Sequence, residues 1–272
     1  SMKEAQIDTG RLGSTGNSVL TRITSLALLL AFSVPAQGQT WEREDVSFEK
    51  IEERARDLAG SPYEPPDPAS FPEWVRRLDY DQYRDIRFDP ERALWATDPL
   101  PYRAMLFHPG YLYVQPVVVN EFTDTHVQKI RLTDAFFQYG PRVGERGELP
   151  ADSGFGGVRL HHPLNRPDYF DELVTFQGSS YWRALGKGQR YGISARGIAV
   201  DTTVEGSQEE FPRFREFWLR KPSQEEPMAM LFALLDGPSF TGAYGFAIRP
   251  GDDTVVTVRA VLFARREVKR LG

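Results

Sequence analysis

The feature that most constrains the fold is a succession of short runs rich in Val, Tyr, Phe and Ile, which begins at about Ala93. Gly, Pro, Asn and Asp separate these runs, a pattern typical of β-strands joined by tight turns. Nothing between them is long and periodic enough for a crossover helix, which argues against a parallel α/β fold. The sequence therefore predicts an all-β, mainly antiparallel fold, a β-sandwich or barrel. The expected strands are Leu112–Glu121, Gln128–Leu132, Gly157–His161, Leu173–Phe176, Ser180–Leu185, Tyr191–Val200, Arg215–Leu219, Ala229–Leu235, Tyr244–Ile248 and Thr254–Arg265.

Two helices are expected ahead of the strands. The first spans Val46–Gly60, where apolar residues recur at helical spacing and Ser47 is a plausible N-cap. The second follows a connector containing five prolines, at a point where Ser70 and Glu73 form a capping-box signature, and runs towards Tyr83. These helices predict a short helical layer at the N-terminal side of the sandwich.

The first 38 residues have the pattern of a targeting segment. An apolar run, Ile23–Val34, follows Arg11 and Arg22 and precedes the small residues of Ala36-Gln37-Gly38. This arrangement predicts a secretory signal peptide cleaved after Gly38. A buried core helix or a membrane anchor is the alternative, but the run is shorter than the roughly 20 residues of a membrane span. We therefore expect an exported protein without a stable membrane anchor.

Composition excludes several classes of function. The chain has no cysteine, so it has neither disulfides nor a thiolate nucleophile. Its net charge of −5 is a poor match for nucleic acid, which needs a concentrated basic face. No metal or cofactor is expected, because the spacing of the Asp79–Asp89 carboxylates does not match a calcium loop. On a strand, His161 and His162 would also point to opposite faces.

The densest polar and aromatic stretch is the ribbon Gly178–Thr202. On an extended strand Tyr181 and Arg183 share one face and Trp182 takes the other. Together with Tyr191, such aromatic rings and polar groups are suited to the wall of a carbohydrate cleft. The alternative is that the aromatic residues of the ribbon belong to the core.

Arg196 and Asp201 are five positions apart in the same ribbon. A bulge at Gly197 would bring them to one face, where they could bind vicinal sugar hydroxyls. The alternative is a structural ion pair between them.

A second candidate face lies on the Arg215–Leu219 strand. Glu216 and Trp218 share one side of it and Phe217 lies on the other. An acid beside an aromatic platform would suit a sugar. The alternative is that Trp218 is partly buried packing.

Several long stretches resemble one protein family, the periplasmic glucans biosynthesis proteins G and D (OpgG/OpgD, formerly MdoG). The similarity runs almost continuously from about Phe48 to Gly272. The stretches that carry it are LDYDQYRDIRFDPERALW, FHPGYLY, GSSYWRALGKGQRYGISARGIAVDT, EEFPRFREFW, LLDGPSFTGAYGF and RREVKRLG.

The resemblance implies a fold and a function. Family members are exported by Gram-negative bacteria for the synthesis of osmoregulated periplasmic glucans with a β-1,2-linked glucose backbone. Their fold is a large β-sandwich similar to carbohydrate-active enzymes, followed by an immunoglobulin-like domain. Some resemble inverting β-1,2-glucanases, which use two carboxyl groups.

The resemblance also implies an incomplete sandwich. Residues 39–92 would form the helical segment and 93–272 the first part of the sandwich, with the catalytic acids beyond Gly272, so we assign no catalytic residue. A long last strand, Val255–Phe263, would then be left at an uncovered edge. The residues expected to line the cleft are Tyr181, Arg183, Tyr191, Arg196, Asp201, Glu216 and Trp218.

Two functions remain open on this reading. The protein binds β-glucan and, when full length, remodels or hydrolyses it. Alternatively, it is a non-catalytic glucan-binding or scaffold module. The expected partner in either case is a β-glucan, and a second copy of the chain, in a homodimer, is a further candidate partner.

Overall fold

The computed structural model describes residues 41–272, and the segment expected to be a signal peptide lies outside them. Three helices precede or flank the first strands: α1 (Phe48–Ala59), α2 (Glu73–Arg76) and α3 (Tyr80–Arg84). The strands are β1 (Ile86–Phe88), β2 (Arg103–Phe107), β3 (Val118–Phe122), β4 (Val127–Lys129), β5 (Phe137–Tyr139), β6 (Gly157–Arg166), β7 (Tyr169–Gln177), β8 (Tyr181–Ala184), β9 (Ile193–Arg196), β10 (Arg213–Arg220), β11 (Ala229–Asp236), β12 (Phe240–Arg249) and β13 (Val255–Ala264).

These strands form two large sheets and one small one. The first large sheet has the order β2-β6-β7-β8-β9 and is antiparallel throughout. The second has the order β13-β12-β11-β10-β3-β4 and is antiparallel except where β10 runs parallel to β3. Strands β1 and β5 pair separately. The all-β, mainly antiparallel prediction is thus confirmed.

The two large sheets bury an aromatic core between them. Phe176 and Trp182 come from the five-stranded sheet, and Phe214, Phe217 and Phe246 come from the six-stranded sheet. The ring centroids of Phe176 and Phe246 are 5.0 Å apart, and those of Trp182 and Phe246 are 5.2 Å apart. Both pairs meet edge to face, the arrangement that aromatic quadrupoles favour. The packing is that of a sandwich, and it assigns Trp182 to the core.

Helix α1 covers the outer face of the six-stranded sheet. Its side chains Phe48, Ile51 and Ala55 are buried there, as the helical periodicity predicts. Ser47 is the N-cap, since its side chain accepts a hydrogen bond from the Lys50 amide at 3.4 Å. The Oγ1 of Thr241 on β12 donates to the carbonyl of Ala55 at 2.6 Å, which ties the helix to the sheet.

The prediction of one second helix from Ser70 is wrong. Helix α2 ends at Arg76 and begins without a side-chain cap, whereas the capping box belongs to α3, between Asp79 and Gln82. The chain therefore turns between two short helices, and this turn brings α3 to the edge of the five-stranded sheet.

Strand boundaries differ most in the first half of the chain. Strands β1, β2 and β5 are not among the expected strands, because their short runs lack a clear alternation of polar and apolar residues. The expected strand Leu112–Glu121 is instead a turn and an irregular segment, with β3 beginning only at Val118. Strand β9 likewise ends at Arg196 rather than Val200.

The residues after β13 fold back onto the sandwich. The guanidinium of Arg265 is buried and donates to Asp236 Oδ1 at 2.8 Å and to the carbonyl oxygen of Leu58 at 2.7 Å. Leu271 forms a bridge with Val200. Strand β13 lies at one edge of the six-stranded sheet within residues 41–272. None of the helices within residues 41–272 has the length and hydrophobicity of a membrane span.

Candidate functional site

The main cleft lies where α3 and the turn after β2 meet the five-stranded sheet, and its volume is about 530 Å³. Its floor includes Arg159 of β6, which points away from the core because its neighbours Val158 and Leu160 are buried in it. We call it the tyrosine cleft. Its lining residues are Tyr80, Tyr83, Arg84, Ile86, Arg87, Phe88, Leu106, Phe107, His108, Tyr111, Tyr113, Phe137, Arg159 and Gln177.

Four tyrosine rings form one wall of the tyrosine cleft. Tyr80 and Tyr83 lie three residues apart on α3, so they project from the same side of the helix. The ring centroid of Tyr111 is 5.7 Å from that of Tyr80 and 6.2 Å from that of Tyr83. Tyr83 also lies 5.7 Å from Tyr113. Tyr80 is 54% exposed and Tyr111 36%, so these two side chains are accessible to a ligand.

Tyr111 is held in an unfavourable backbone conformation. It sits in a two-residue turn closed by backbone hydrogen bonds between Gly110 and Tyr113, at 2.8 and 3.1 Å. Its φ is +55°, in the left-handed region where a bulky residue costs about 1–2 kcal/mol. Strain of this kind persists where the surrounding structure imposes it, often at binding sites. The turn thus places an aromatic ring at the mouth of the cleft against its intrinsic preference.

Tyr83 is fixed at the inner end of the cleft by its hydroxyl. The hydroxyl donates to the carbonyl oxygen of His108 at 3.0 Å and accepts from Gln177 Nε2 at 3.0 Å. Burial raises the pKa of Tyr83 above its ordinary value, so the ring stays neutral. Gln177 lines the cleft from the end of β7, which links the tyrosine wall to the sheet.

His108 closes the inner end of the cleft as a neutral, buried ring. Its Nε2 lies 3.2 Å from the hydroxyl of Tyr139, which donates to Asp134 Oδ1 at 3.0 Å. Burial lowers the pKa of His108 to about 4. His108 therefore packs and hydrogen-bonds within the wall of the cleft. Among residues 41–272, no group of three His, Asp or Glu side chains is arranged to hold a metal ion.

The buried histidines predict a loss of stability in acid. Burial lowers the pKa of His108 and of His161 to about 4, against about 6.5 in the unfolded chain. The unfolded state therefore binds more protons between pH 6.5 and 4, and the free energy of unfolding should fall by about 2–3 kcal/mol per histidine as pH falls through that window. Denaturant unfolding at several pH values measures this fall.

The matched variant is His161→Gln, which can still donate to the carbonyl oxygen of Phe170 that His161 Nδ1 contacts at 3.1 Å. We expect its stability to fall less steeply than that of the wild type between pH 6.5 and 4. Parallel curves for the two proteins would contradict the assignment.

A charged row continues the floor of the cleft across the sheet. Glu172 lies between two guanidinium groups, 3.0 Å from Arg183 and 3.7 Å from Arg159. Although its burial opposes ionisation, hydrogen bonding and these two positive charges hold the pKa of Glu172 below its ordinary value. The Nε atoms of Arg159 and Arg183 are buried without a hydrogen-bond partner among the described residues. The row therefore carries a net positive charge with unused donors.

Tyr181 joins this row to the tyrosine cleft. It pairs with Arg196 across β8 and β9, and it shares the outward face with Arg183. A Cβ built at Gly178 would lie 3.6 Å from Tyr113 Cε1, and the Tyr181 amide donates to the Gly178 carbonyl oxygen at 3.3 Å, so the ribbon and the tyrosine wall are neighbours. Tyr181 and Arg183 thus lie on the same outer surface as the cleft, as the ribbon pattern predicts.

Two other ribbon residues lie further out. Tyr191 is 89% exposed. Arg196 donates to the carbonyl oxygen of Ser179 at 2.8 Å, and its guanidinium carbon lies 4.6 Å from the ring centroid of Phe211. Both side chains are accessible, but neither is among the residues that line the cleft.

Asp201 is placed differently from the expectation. Strand β9 ends before Gly197, so no bulge aligns Asp201 with Arg196, and the two form no ion pair in the described residues. Asp201 is 7% exposed, and its Oδ1 accepts from the amides of Lys269 and Arg270 at 2.9 and 2.8 Å. This carboxylate holds the last residues of the chain and is not open to a sugar.

Gly197 does not form a bulge, and its lack of a side chain is required by close packing. A Cβ built at this position would lie 3.1 Å from Ser180 Cβ and 3.2 Å from Phe214 Cζ. Its carbonyl also accepts from the hydroxyl of Tyr244 at 2.8 Å. Glycine therefore allows the ribbon to pass close over the aromatic core as it leaves the sheet.

Glu216 and Trp218 lie beneath α1, on the opposite side of the sandwich from the five-stranded sheet. Trp218 is 3% exposed, and the guanidinium carbon of Arg54 lies 4.8 Å from its ring centroid. Glu216 accepts from Arg54 Nη2 and from Asn120 Nδ2, both at 2.9 Å. The two residues do share a face, but α1 covers it, which favours the packing alternative for Trp218.

The tyrosine cleft itself is not among the sites expected from the sequence. Its residues come from two stretches, LDYDQYRDIRF and FHPGYLY, that carry the family resemblance. The usable signals were Tyr80 and Tyr83 at helical spacing, and Tyr111 and Tyr113 beside Pro109-Gly110. Neither pair of tyrosines indicates a binding site by itself, because the wall forms only when the two stretches pack together in the fold.

Comparison with known proteins identifies the family. A family model described as "Periplasmic glucan biosynthesis protein, MdoG" matches residues 46–272. The chain belongs to the MdoG family. It is 46% identical over 219 residues to a glucans biosynthesis protein G of Ralstonia nicotianae, covering 80% of this chain and 43% of that protein. It is 43% identical over 246 residues to one of Rhodopseudomonas palustris, covering 90% of this chain and 48% of that protein.

A third relative is a glucans biosynthesis protein G of Vibrio cholerae, which is 46% identical over 228 residues and has 39% of its length covered. The chain thus spans about half the length, or less, of the curated relatives it matches. The resemblance to MdoG-like proteins is confirmed. The family is described as one of periplasmic proteins.

Proposed function

We propose that this protein binds β-1,2-linked glucan in the periplasm, in the tyrosine cleft and along the adjoining charged row. In this proposal the protein takes part in periplasmic glucan synthesis, the process for which its family is named. Remodelling or hydrolysis of the glucan is proposed for the whole protein.

The observation that carries the proposal is the tyrosine wall beside a floor of polar side chains. Two of its rings, Tyr80 and Tyr111, are accessible from solvent, and the C–H faces of a glucose ring pack well on aromatic rings. Arg159 and Gln177 lie on the floor opposite and can hydrogen-bond sugar hydroxyls. Pockets for sugars combine these two features, apolar walls and a few placed polar groups.

The cleft lining favours binding over hydrolysis by these residues. Inverting glycosidases need a pair of carboxyl groups about 6.5–9.5 Å apart, one as acid and one as base. Among the residues that line the tyrosine cleft in the described part of the chain, none is Asp or Glu. Glu172, the carboxylate of the charged row, forms ion pairs with two arginines. The lining residues therefore favour a surface that binds glucan. If the whole protein hydrolyses glucan, its catalytic acids come from elsewhere in the protein.

The test is a calorimetric titration with linear β-1,2-gluco-oligosaccharides, with β-1,4-linked oligosaccharides of equal length as the control. We expect saturable binding of the β-1,2-linked series and weaker binding of the control. Chromatography of the same mixtures reports cleavage. Binding without cleavage supports the binding-wall assignment, and cleavage by this chain would overturn that part of it. Absence of binding would overturn the proposal itself.

Tyr181→Ala tests whether the ribbon extends the site. Tyr181 is partly exposed on the outward face next to Tyr113, so its loss removes a contact surface without opening the core. We expect glucan affinity to fall by about 1–3 kcal/mol, as for other binding anchors. Titration against the same oligosaccharide measures the change, and unchanged affinity would place the site at the tyrosine wall alone.

Trp218→Phe is the matched comparison on the covered face. Because Trp218 packs beneath α1, we expect a lower melting temperature and unchanged glucan affinity. A selective loss of affinity with unchanged stability would instead restore Trp218 as a sugar platform.

A further inference from the structure

A second, strongly charged depression opens beside the mouth of the tyrosine cleft. Its volume is about 190 Å³, and it is lined by Asp81, Arg84, Asp85, Arg87 and Arg142. We call it the arginine depression. Arg84 and Arg87 line both this depression and the tyrosine cleft, so the two cavities share a wall. A ligand in the cleft can therefore reach the depression.

Both carboxylates of the depression are already engaged. The backbone amide of Arg142 donates to Asp85 Oδ2 at 2.9 Å, and the Asp85 carboxyl packs so closely on Gly140 that a Cβ there would clash with it. The guanidinium of Arg142 lies 3.6 Å from Asp81 Oδ1. Arg142 thus offsets the charge of Asp81 with its guanidinium and hydrogen-bonds Asp85 through its backbone amide.

Arg84 and Arg87 have no carboxylate partner among the described residues, and the depression as a whole carries a net positive charge. Neither forms an ion pair with a carboxylate or a side-chain hydrogen bond anywhere in residues 41–272. Their backbones are fixed, since Arg84 ends α3 and Arg87 lies at the centre of β1. The guanidinium carbon of Arg84 also lies 5.4 Å from the ring centroid of Tyr80, at the entrance of the cleft. Two guanidinium groups on fixed elements are suited to bind a carboxylate or a phosphate group.

We propose that the arginine depression binds a negatively charged substituent of the glycan whose sugar rings lie on the tyrosine wall. The inference rests on the proposed function, because it places the sugar in the cleft. It adds a substrate class: the preferred ligand is an anionic glycan, and Arg84 and Arg87 are its specificity-determining residues.

The experiment compares two forms of one oligosaccharide. A linear β-1,2-gluco-oligosaccharide is titrated as such and after oxidation of some C6 hydroxyls to carboxylates. At low ionic strength we expect the oxidised form to bind about 5–10-fold more tightly than the neutral form, and the preference to shrink as salt rises. The variant Arg84→Gln/Arg87→Gln should lose the preference, so that its affinities for the neutral and the oxidised form agree within about twofold.

Two controls, a charge-matched variant and inorganic phosphate, separate the possible outcomes. Arg43→Gln/Arg249→Gln makes the same change in net charge at exposed positions away from the cleft and should keep the preference.

If neutral and oxidised forms bind the wild type equally, the anionic-glycan inference is overturned while the proposed function stands. If neither binds, both fail. Inorganic phosphate alone is the third arm, and binding of phosphate as tight as that of the oxidised oligosaccharide would show a free-anion site and overturn the glycan assignment.

Discussion

The double variant Tyr80→Ala/Tyr111→Asn is expected to weaken binding of a β-1,2-gluco-oligosaccharide by about 2–4 kcal/mol, roughly 30- to 1,000-fold. These are the two exposed rings of the tyrosine wall, so their loss removes most of the aromatic surface available to a sugar. Isothermal titration measures the affinity of the variant and of the wild type under the same conditions.

The design of this variant separates binding from folding. Asparagine tolerates the left-handed backbone that Tyr111 adopts, so relief of strain offsets part of the lost packing at that position. We therefore expect a melting temperature close to that of the wild type. Tyr169→Ala is the control, since Tyr169 is 60% exposed and is not among the residues that line the cleft. Equal affinities of the double variant and the control would contradict a role for the tyrosine wall.

Arg265→Met is expected to lower the free energy of unfolding by about 3–5 kcal/mol, the usual consequence of breaking a buried ion pair. Asp236 is 2% exposed and would retain only Arg215, whose side chain is 40% exposed, as its partner. The carbonyl oxygens of Leu58 and Gly237 would also lose a donor. Urea unfolding followed by tryptophan fluorescence measures the loss.

Arg266→Met is the neighbouring control. Its side chain is 54% exposed and lies 3.4 Å from Glu210, so it should change stability by less than about 1 kcal/mol. If Arg265→Met also fell within that range, the buried cluster would not be what fastens the residues after β13 to the sandwich.

The sequence was a good guide to the fold where one local pattern determines one element. Helix α1 has apolar residues at helical spacing and a capping serine, and it forms with the expected bounds and buried face. Long alternating runs such as those of β11, β12 and β13 likewise form strands. By contrast, β1 and β5 are three residues each and exist because they pair with each other across about fifty residues of chain. No local pattern can show such a pairing.

The candidate site was only partly accessible from the sequence. The outward face of Tyr181 and Arg183 follows from strand alternation, so it could be derived. Asp201 could not be placed, because its position depends on amides that arrive almost seventy residues later in the chain.

The tyrosine wall depends in the same way on tertiary contact. Tyr83 and Tyr113 are thirty residues apart and meet only because α3 turns back onto the sheet. The strained turn at Tyr111 adds the outer ring. Binding residues that are brought together only by tertiary contacts can be identified from the structure, but not from the spacing of residues in the sequence.

The most direct test of glucan binding in the tyrosine cleft is a crystal structure of the protein with a linear β-1,2-gluco-oligosaccharide. We expect a glucose ring packed at about 4 Å on Tyr111 or Tyr80, with its hydroxyls directed towards Arg159 and Gln177. An oligosaccharide bound at another surface, or an empty tyrosine cleft at a saturating concentration of sugar, would contradict it.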